Sequence, residues 1–229
     1  MIIFYPISPS YPMTNQLLST PAKTGGAGIE HSFAVNFISG IYPVSERYKE
    51  ILREKGFIRH LKKGELLVKK GQICTSVCFI KKGLMRGFIQ YDKTDITTWI
   101  SCENELVTSI TGFFKNNPAK ENIQAIEHSE IECLDAKDLA LLYEECPEAN
   151  IVTRLILEKY YEDAENRAFI SRLPSLAEKY KYLHQSDSYR HILTRAPLKY
   201  VASFLSVRLE TLSRLRGKYS RSQPTDERV

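Results

Sequence analysis

The chain has no apolar run near the ~18 residues a membrane-spanning helix needs. Its first residues, MIIFYPISPSYP, lack a basic segment and are broken by prolines, which argues against a signal peptide. A soluble, cytoplasmic protein with no membrane partner is therefore expected. Cysteine is sparse: Cys74, Cys78, Cys102, Cys133 and Cys146 are odd in number and scattered. That pattern fits reduced cytosolic thiols better than a disulfide framework. No Cys-x-x-Cys pair occurs, and the histidines (His31, His60, His128, His184, His191) are dispersed. Cys74 and Cys78 on an extended strand would lie about 13 Å apart, too far to share one ion unless a turn intervenes. No metal site and no cofactor are expected, and a thiol switch at a surface cysteine stays open. A serine nucleophile elbow, a phosphate loop of the GxxxxGK type and an HExxH motif are all missing, so no enzyme is expected. Between Arg86 and Arg154 there is no arginine. That stretch has no planar guanidinium fork with which to grip a phosphate bidentately.

What is present is an ordinary globular composition, 43% hydrophobic and 26% charged, in 229 residues. This suffices for one large or two small domains. The net charge of +5 is modest, so its location carries the meaning. From Arg190 to Arg221 there are six arginines and two lysines against one acid, Glu210. A local excess of about seven charges is an electrostatic footprint for phosphate.

The same segment, PLKYVASFLSVRLETLSRLRGKY from Pro197 to Tyr219, reads as two short helices joined by a tight turn. Pro197 suits a helix start, where its missing N–H costs nothing. Val201, Ala202 and Leu205 form one apolar face, Ser206-Val207 the turn, and Leu212 and Leu215 the buried stripe of the second helix. Small Ala202 lets the helices cross closely. The second helix then offers Arg208, Glu210, Thr211, Ser213, Arg214, Arg216 and Lys218 for hydrogen bonds to base edges and phosphates.

Upstream, residues 1–30 are rich in Pro, Ser, Thr and Gly and read as a poorly ordered extension. Helical spacing begins near Ser32 (Phe33, Phe37, Ile38, Ile41), and a second helix is expected from Pro43 through Tyr48, Ile51 and Leu52. From Phe57 to about Asp135, short alternating strands (FIRHL, ELLVKKG, SVCFIKKG, LMRGFIQY, DITTWIS) are punctuated by Gly64, Gly71, Gly83 and Gly87. This suggests a small antiparallel sandwich or barrel. Two more strands and a short helix near Asp138–Cys146 follow. Phe88, Trp99, Phe113 and Phe114 read as core rather than as a pocket lining. Glu144-Glu145 and Glu162-Asp163 read as solvated helix faces.

After Pro147 a long helix carries Leu157, Tyr161, Ala164 and Ala168 at heptad-like spacing, a seam suited to a homodimer. Ser171-Arg172-Leu173-Pro174 marks a hinge. Ser175 with Glu178 predicts a capping box. The domain boundaries expected are 31–146 for a sensor domain, 147–170 for the dimerisation helix and 171–229 for a DNA-binding domain.

The order of barrel, long helix and helix-turn-helix, with ELLVKKGQICTSVCFIKKGLMRGFIQ and YVASFLSVRLETLSRLR, resembles the catabolite-activator/fumarate-nitrate-regulator (CRP/FNR) superfamily of transcription factors from about Ser32 to Ser220. The resemblance implies an α+β fold: an N-terminal double-stranded β-helix (jelly roll) like a cyclic-nucleotide-binding domain, a dimerisation helix and a C-terminal winged helix-turn-helix. It implies a homodimer on a two-fold-related site in double-stranded DNA, with Arg208, Glu210, Thr211 and Arg214 at the major groove or its flanking phosphates. RNA polymerase is a further candidate partner. The chain departs from the family's pattern at the turn, where Ser206 stands in place of the common Gly. It departs again at the start of the reading helix, where Arg208 replaces a Ser or Thr cap and Leu209 follows. An arginine offers no side-chain acceptor there, and its charge opposes the helix dipole.

Cyclic-nucleotide binders of this family use a Gly-Glu pair and a downstream Arg-Ser or Arg-Thr. Anchored on IQAIEHSEI, those positions fall at Thr108-Ser109 and near Ala119-Lys120, and neither matches. No cyclic AMP binding is expected, and the effector, if one exists, stays open. The competing reading is a small-molecule-binding regulatory module whose last helices contact a protein partner.

Overall fold

Serine hydroxyls start the first two helices. In the computed structural model, which describes Ile29 and residues 31–222, the Ser32 side chain accepts from Val35 N–H to open α1 (Phe33–Ile41). Ser45 accepts from Tyr48 N–H to open α2 (Glu46–Lys55). The second helix thus begins after Ser45 rather than at Pro43. The expected extension lies outside the described residues except for Ile29, whose N–H donates to Arg53 C=O at 2.8 Å.

Eight strands follow. They are β1 (Phe57–Leu61), β2 (Leu66–Val68), β3 (Ser76–Lys82), β4 (Met85–Tyr91), β5 (Thr94–Ser101), β6 (Leu106–Val107), β7 (Asn122–Ala125) and β8 (Ser129–Asp135). They form two four-stranded sheets with orders β1-β8-β3-β6 and β2-β7-β4-β5, antiparallel at every pairing. This is the expected double-stranded roll. Ile80, Met85, Ile123 and Ile131 are fully buried in it. Strand β6 and the short helix α3 (Ile110–Lys115) are additions that the alternation did not reveal.

The glycines divide by role. Gly64, Gly71 and Gly83 hold positive φ in turns, where a side chain would be strained. Gly87 instead lies inside β4 at a register shift against β5. A Cβ there would meet the Trp99 indole at 2.2 Å, so Gly87 is what lets Trp99 lie across the sheet.

The cysteine expectation needs correction. Cys74, Cys102 and Cys146 are free, but Cys78 and Cys133 are joined as a disulfide between β3 and β8. The two residues are directly paired in register on neighbouring strands, a relation that residue counting could not show.

A buried carboxylate ties the N-terminal helices to the roll. Glu132 of β8, 2% exposed, accepts from the Ser32 hydroxyl at 2.5 Å and from the N–H groups of Phe33 at 2.7 Å and Ala34 at 3.3 Å. It therefore satisfies donors that the first turn of α1 leaves unpaired.

Helix α4 (Ala136–Glu145) leads to the long α5 (Glu148–Arg172), which ends at the expected hinge. Helix α6 (Leu176–Gln185) opens on Ser175, whose hydroxyl accepts from Glu178 N–H. The Glu178 carboxylate meets the Ser175 hydroxyl at 2.7 Å, a variant of the predicted box. Then come α7 (Arg190–Arg195), α8 (Leu198–Phe204) and α9 (Leu209–Ser222). A second core joins these helices: Leu183, Ile192, Val201, Ala202, Leu205 and Leu212 are all nearly solvent-free. No strand follows β8 among the described residues, so the strands of the expected wing are not among them.

Candidate DNA-reading helix, dimer seam and cavity

Helix α9 buries one stripe and presents the rest. Leu212 is fully buried and Leu215 half-buried, while Arg208, Glu210, Thr211, Ser213, Arg214, Arg216 and Lys218 are all exposed. The sequence-predicted contact residues are therefore exposed on α9, with Arg208 exposed immediately before it. The turn before it is tight. Val207 N–H donates to Ala202 C=O at 3.0 Å, and Ser206 sits at φ 57°. A non-glycine residue bears a cost of about 1–2 kcal/mol in that left-handed region. Arg208 contributes only its carbonyl to the helix start, accepting from Thr211 and Leu212 N–H at 3.1 Å each.

The helix-turn-helix is docked on the roll. Strand β5 is a sheet edge, and α8 covers it. The Ser203 hydroxyl accepts from Thr97 N–H at 2.8 Å and donates to Asp95 C=O at 2.9 Å. It thus supplies the pairing that an edge strand lacks. Beside it, Arg86 is 3% exposed. Its guanidinium donates to Gln124, Thr97 and Asp95 side chains at 2.9, 3.1 and 3.2 Å. It also lies between the Phe88 ring at 4.0 Å and the Tyr200 ring of α8 at 3.8 Å. Helix α7 is held separately. Arg195 pairs with Glu103 at 2.6 Å and with Glu127 at 2.6 Å. Burial pushes the Glu103 carboxyl up, but hydrogen bonds from Arg195 and Gly83 N–H outweigh this and hold it down at about 2.

On α5, Leu157, Tyr161, Ala164 and Ala168 are exposed. Leu157 and Tyr161 are 42% and 68% accessible. The predicted seam is thus an exposed stripe on the single chain, with Leu157 also at the edge of the cavity beside α5.

Between the roll, α5 and the start of α7 lies a cavity of about 640 Å³. Trp99 and Phe114 line it, whereas Phe88 and Phe113 are core. Asp163, expected on a solvated face, also lines it. Tyr160 donates from its phenol to Leu106 C=O at the wall. Five carboxylates (Glu103, Glu105, Glu121, Asp163, Asp187) line the cavity against three cations (Lys120, Lys159, Arg167). The stretch between Arg86 and Arg154 brings no arginine to the cavity, but α5 brings Arg167 from outside it. Burial raises the Glu105 and Glu121 carboxyls, and Glu121 accepts from Trp99 Nε1 at 3.1 Å. Thr108 and Ser109, at the Gly-Glu positions, are both buried. Thr108 donates to Ser76 C=O at 3.0 Å, so neither supplies a carboxylate for a ribose.

One cluster escaped sequence reasoning. Cys102, Glu105 and His191 bring a thiol, a carboxylate and an imidazole nitrogen within 4.8 Å of one another at the cavity wall. Burial, then the neighbouring Glu105 and Glu103, push the Cys102 thiol up to about 12. Burial pushes the His191 imidazole down. The first two residues leave β5 and the third lies on α7, so no local spacing signals the group.

The cyclic nucleotide-binding domain family matches residues 58–146. No curated protein sequence matches the chain. Among solved structures it is similar to a protein described as a transcriptional regulator of the CRP/FNR family from Eubacterium rectale. The two are 14% identical, with TM-score 0.60 over 80% of this chain and 88% of that one. FixK2 from Bradyrhizobium japonicum gives 12% identity and TM-score 0.60 over 76% and 90%. The c-di-GMP-responsive global regulator CLP of Xanthomonas campestris gives 13% and 0.59 over 77% and 92%. At these identities the likeness shows a shared fold.

Proposed function

Because the chain folds as the CRP/FNR regulators do and carries a cyclic nucleotide-binding domain over residues 58–146, we propose that it is a sequence-specific DNA-binding transcription regulator that acts as a homodimer. The observation that carries this reading is α9, a basic helix anchored by Leu212 with Arg208, Glu210, Thr211, Ser213, Arg214, Arg216 and Lys218 outward. The exposed stripe of Leu157, Tyr161, Ala164 and Ala168 supports the dimer. Two reading helices related by the dimer axis would meet half-sites about one helical turn, roughly 34 Å, apart. No helix is long and apolar enough to cross a membrane among the described residues.

Arg214→Ala tests the site. If Arg214 reads a base, specific binding falls by about 1–3 kcal/mol, roughly 5- to 150-fold, in a fluorescence-anisotropy titration. Unchanged affinity removes it from the interface.

The roll in this reading does not take cyclic AMP. A cyclic phosphate is anionic, and the cavity wall carries Glu105, Glu121 and Asp163 as well as Arg167, with no ribose-binding carboxylate at Ser109. The cavity itself favours a second reading, a small-molecule-binding module whose last helices meet a protein. Salt separates the two. DNA affinity that falls steeply as salt rises, with a sequence preference, belongs to the first reading. A flat salt response without preference belongs to the second.

A further inference from the structure

We propose that Cys102, Glu105 and His191 bind a borderline divalent cation of the Zn²⁺ class and so join the roll to the helix that leads into the DNA-reading unit. Three observations carry the site. The ligand atoms converge within 4.8 Å, with Cys102 Sγ 3.8 Å from Glu105 Oε1. A tetrahedral ion at about 2.3 Å from sulfur and about 2.0–2.1 Å from nitrogen or oxygen sets its ligand atoms ~3.5 Å apart. The cluster is therefore within a small side-chain adjustment of coordination.

Second, His191 Nε2 is sealed from solvent and makes no hydrogen bond. Buried polar atoms are paired in the large majority of cases, so an orphan calls for an explanation. The other four histidines are exposed. Third, the surroundings suit a cation, since carboxylates outnumber basic groups on the cavity wall.

The donor set selects the metal class. One thiolate, one imidazole and one carboxylate suit Zn²⁺ and its neighbours, whereas Mg²⁺ and Ca²⁺ prefer all-oxygen shells. Three protein ligands leave a fourth position on the cavity side, open to water or a small molecule. Binding displaces the Cys102 proton to solvent. His191 and Arg195 are one turn apart on α7, and Arg195 already pairs with Glu103 beside the cluster. The ion therefore adds a second fastening between the 102–105 loop and α7. The site stands whether or not α9 reads DNA.

The test uses the reduced full-length chain and Zn²⁺ alone in isothermal titration calorimetry. One ion per chain is expected. Loss of an outer-shell partner commonly costs about 10- to 100-fold in metal affinity, so loss of a ligand in His191→Ala or Cys102→Ser should exceed about 100-fold. His184→Ala should bind as the parent does. A parent that takes up no ion, or a His191→Ala variant that matches it, overturns the proposal. A second readout needs no variant. Co²⁺ should give a thiolate-to-metal charge-transfer absorption and shield Cys102 from alkylation, read by peptide mass. Equal alkylation of Cys102 with and without Co²⁺ overturns the proposal as well.

Discussion

Placing charges of one sign on the α5 stripe, as Leu157→Glu with Tyr161→Glu, should convert the protein to a monomer and abolish specific DNA binding in the same step. Both side chains are exposed in the single chain, Leu157 at 42% and Tyr161 at 68%. Neither belongs to the buried core of the monomer, although Leu157 also lines the cavity beside α5. Surface substitutions away from a structural feature usually change stability by no more than about 0.5 kcal/mol, so the variant should stay folded. The dimer, by contrast, would have to bury two charges from each copy in an apolar seam without partners. Such a burial costs several kcal/mol per ion. One helix-turn-helix then has only one half-site, and the affinity gained by joining two is lost. Sedimentation velocity and an anisotropy titration on the same preparation check both consequences. A variant that remains dimeric moves the seam elsewhere on the chain. A monomer that keeps full DNA affinity removes the need for a dimer.

Glu132→Ala should cost about 3 kcal/mol of stability or more. The carboxylate is buried and accepts from Ser32, Phe33 and Ala34. Hydrogen bonds to a charged group contribute about 1.5–3 kcal/mol each, and donors left buried without a partner add their own penalty. The loss of a cap of this kind at the start of a helix adds about 1 kcal/mol. These costs overlap because the three donors share one carboxylate, which is why their sum is not the expectation. Glu132→Gln keeps the shape and part of the bonding, so it should cost less. Urea unfolding of the three proteins supplies the comparison. An alanine variant within 1 kcal/mol of the parent would mean that water enters and satisfies α1, and the carboxylate would lose its role as the tie between helices and roll.

The features legible in the sequence are those set by neighbours along the chain. The Ser175–Glu178 cap, the turn at Ser206, the stripe of Leu212 and the strand alternation of FIRHL and LMRGFIQY all depend on spacings of a few residues. The resemblance to the family extended that local reading to the order of the domains. Features that depend on register were hidden. Cys78 meets Cys133 only because β3 pairs with β8 at that offset. Glu132 reaches Ser32 across one hundred positions. Arg167 enters the cavity from the long helix, so the absence of arginine between Arg86 and Arg154 did not by itself describe the cavity. Gly87 looked like another turn glycine, but its role is to make room for Trp99. The cluster of Cys102, Glu105 and His191 was hidden for the same reason, because the loop after β5 meets α7 there.

The most direct test of the regulator reading is selection of bound fragments from random duplex DNA by the purified full-length protein with no added ligand. Enrichment of a two-fold-symmetric sequence whose half-sites lie about one helical turn apart is expected. Recovery of fragments with no shared sequence, at an affinity that is flat with salt, would contradict it and assign the basic C-terminal helix to a partner other than DNA.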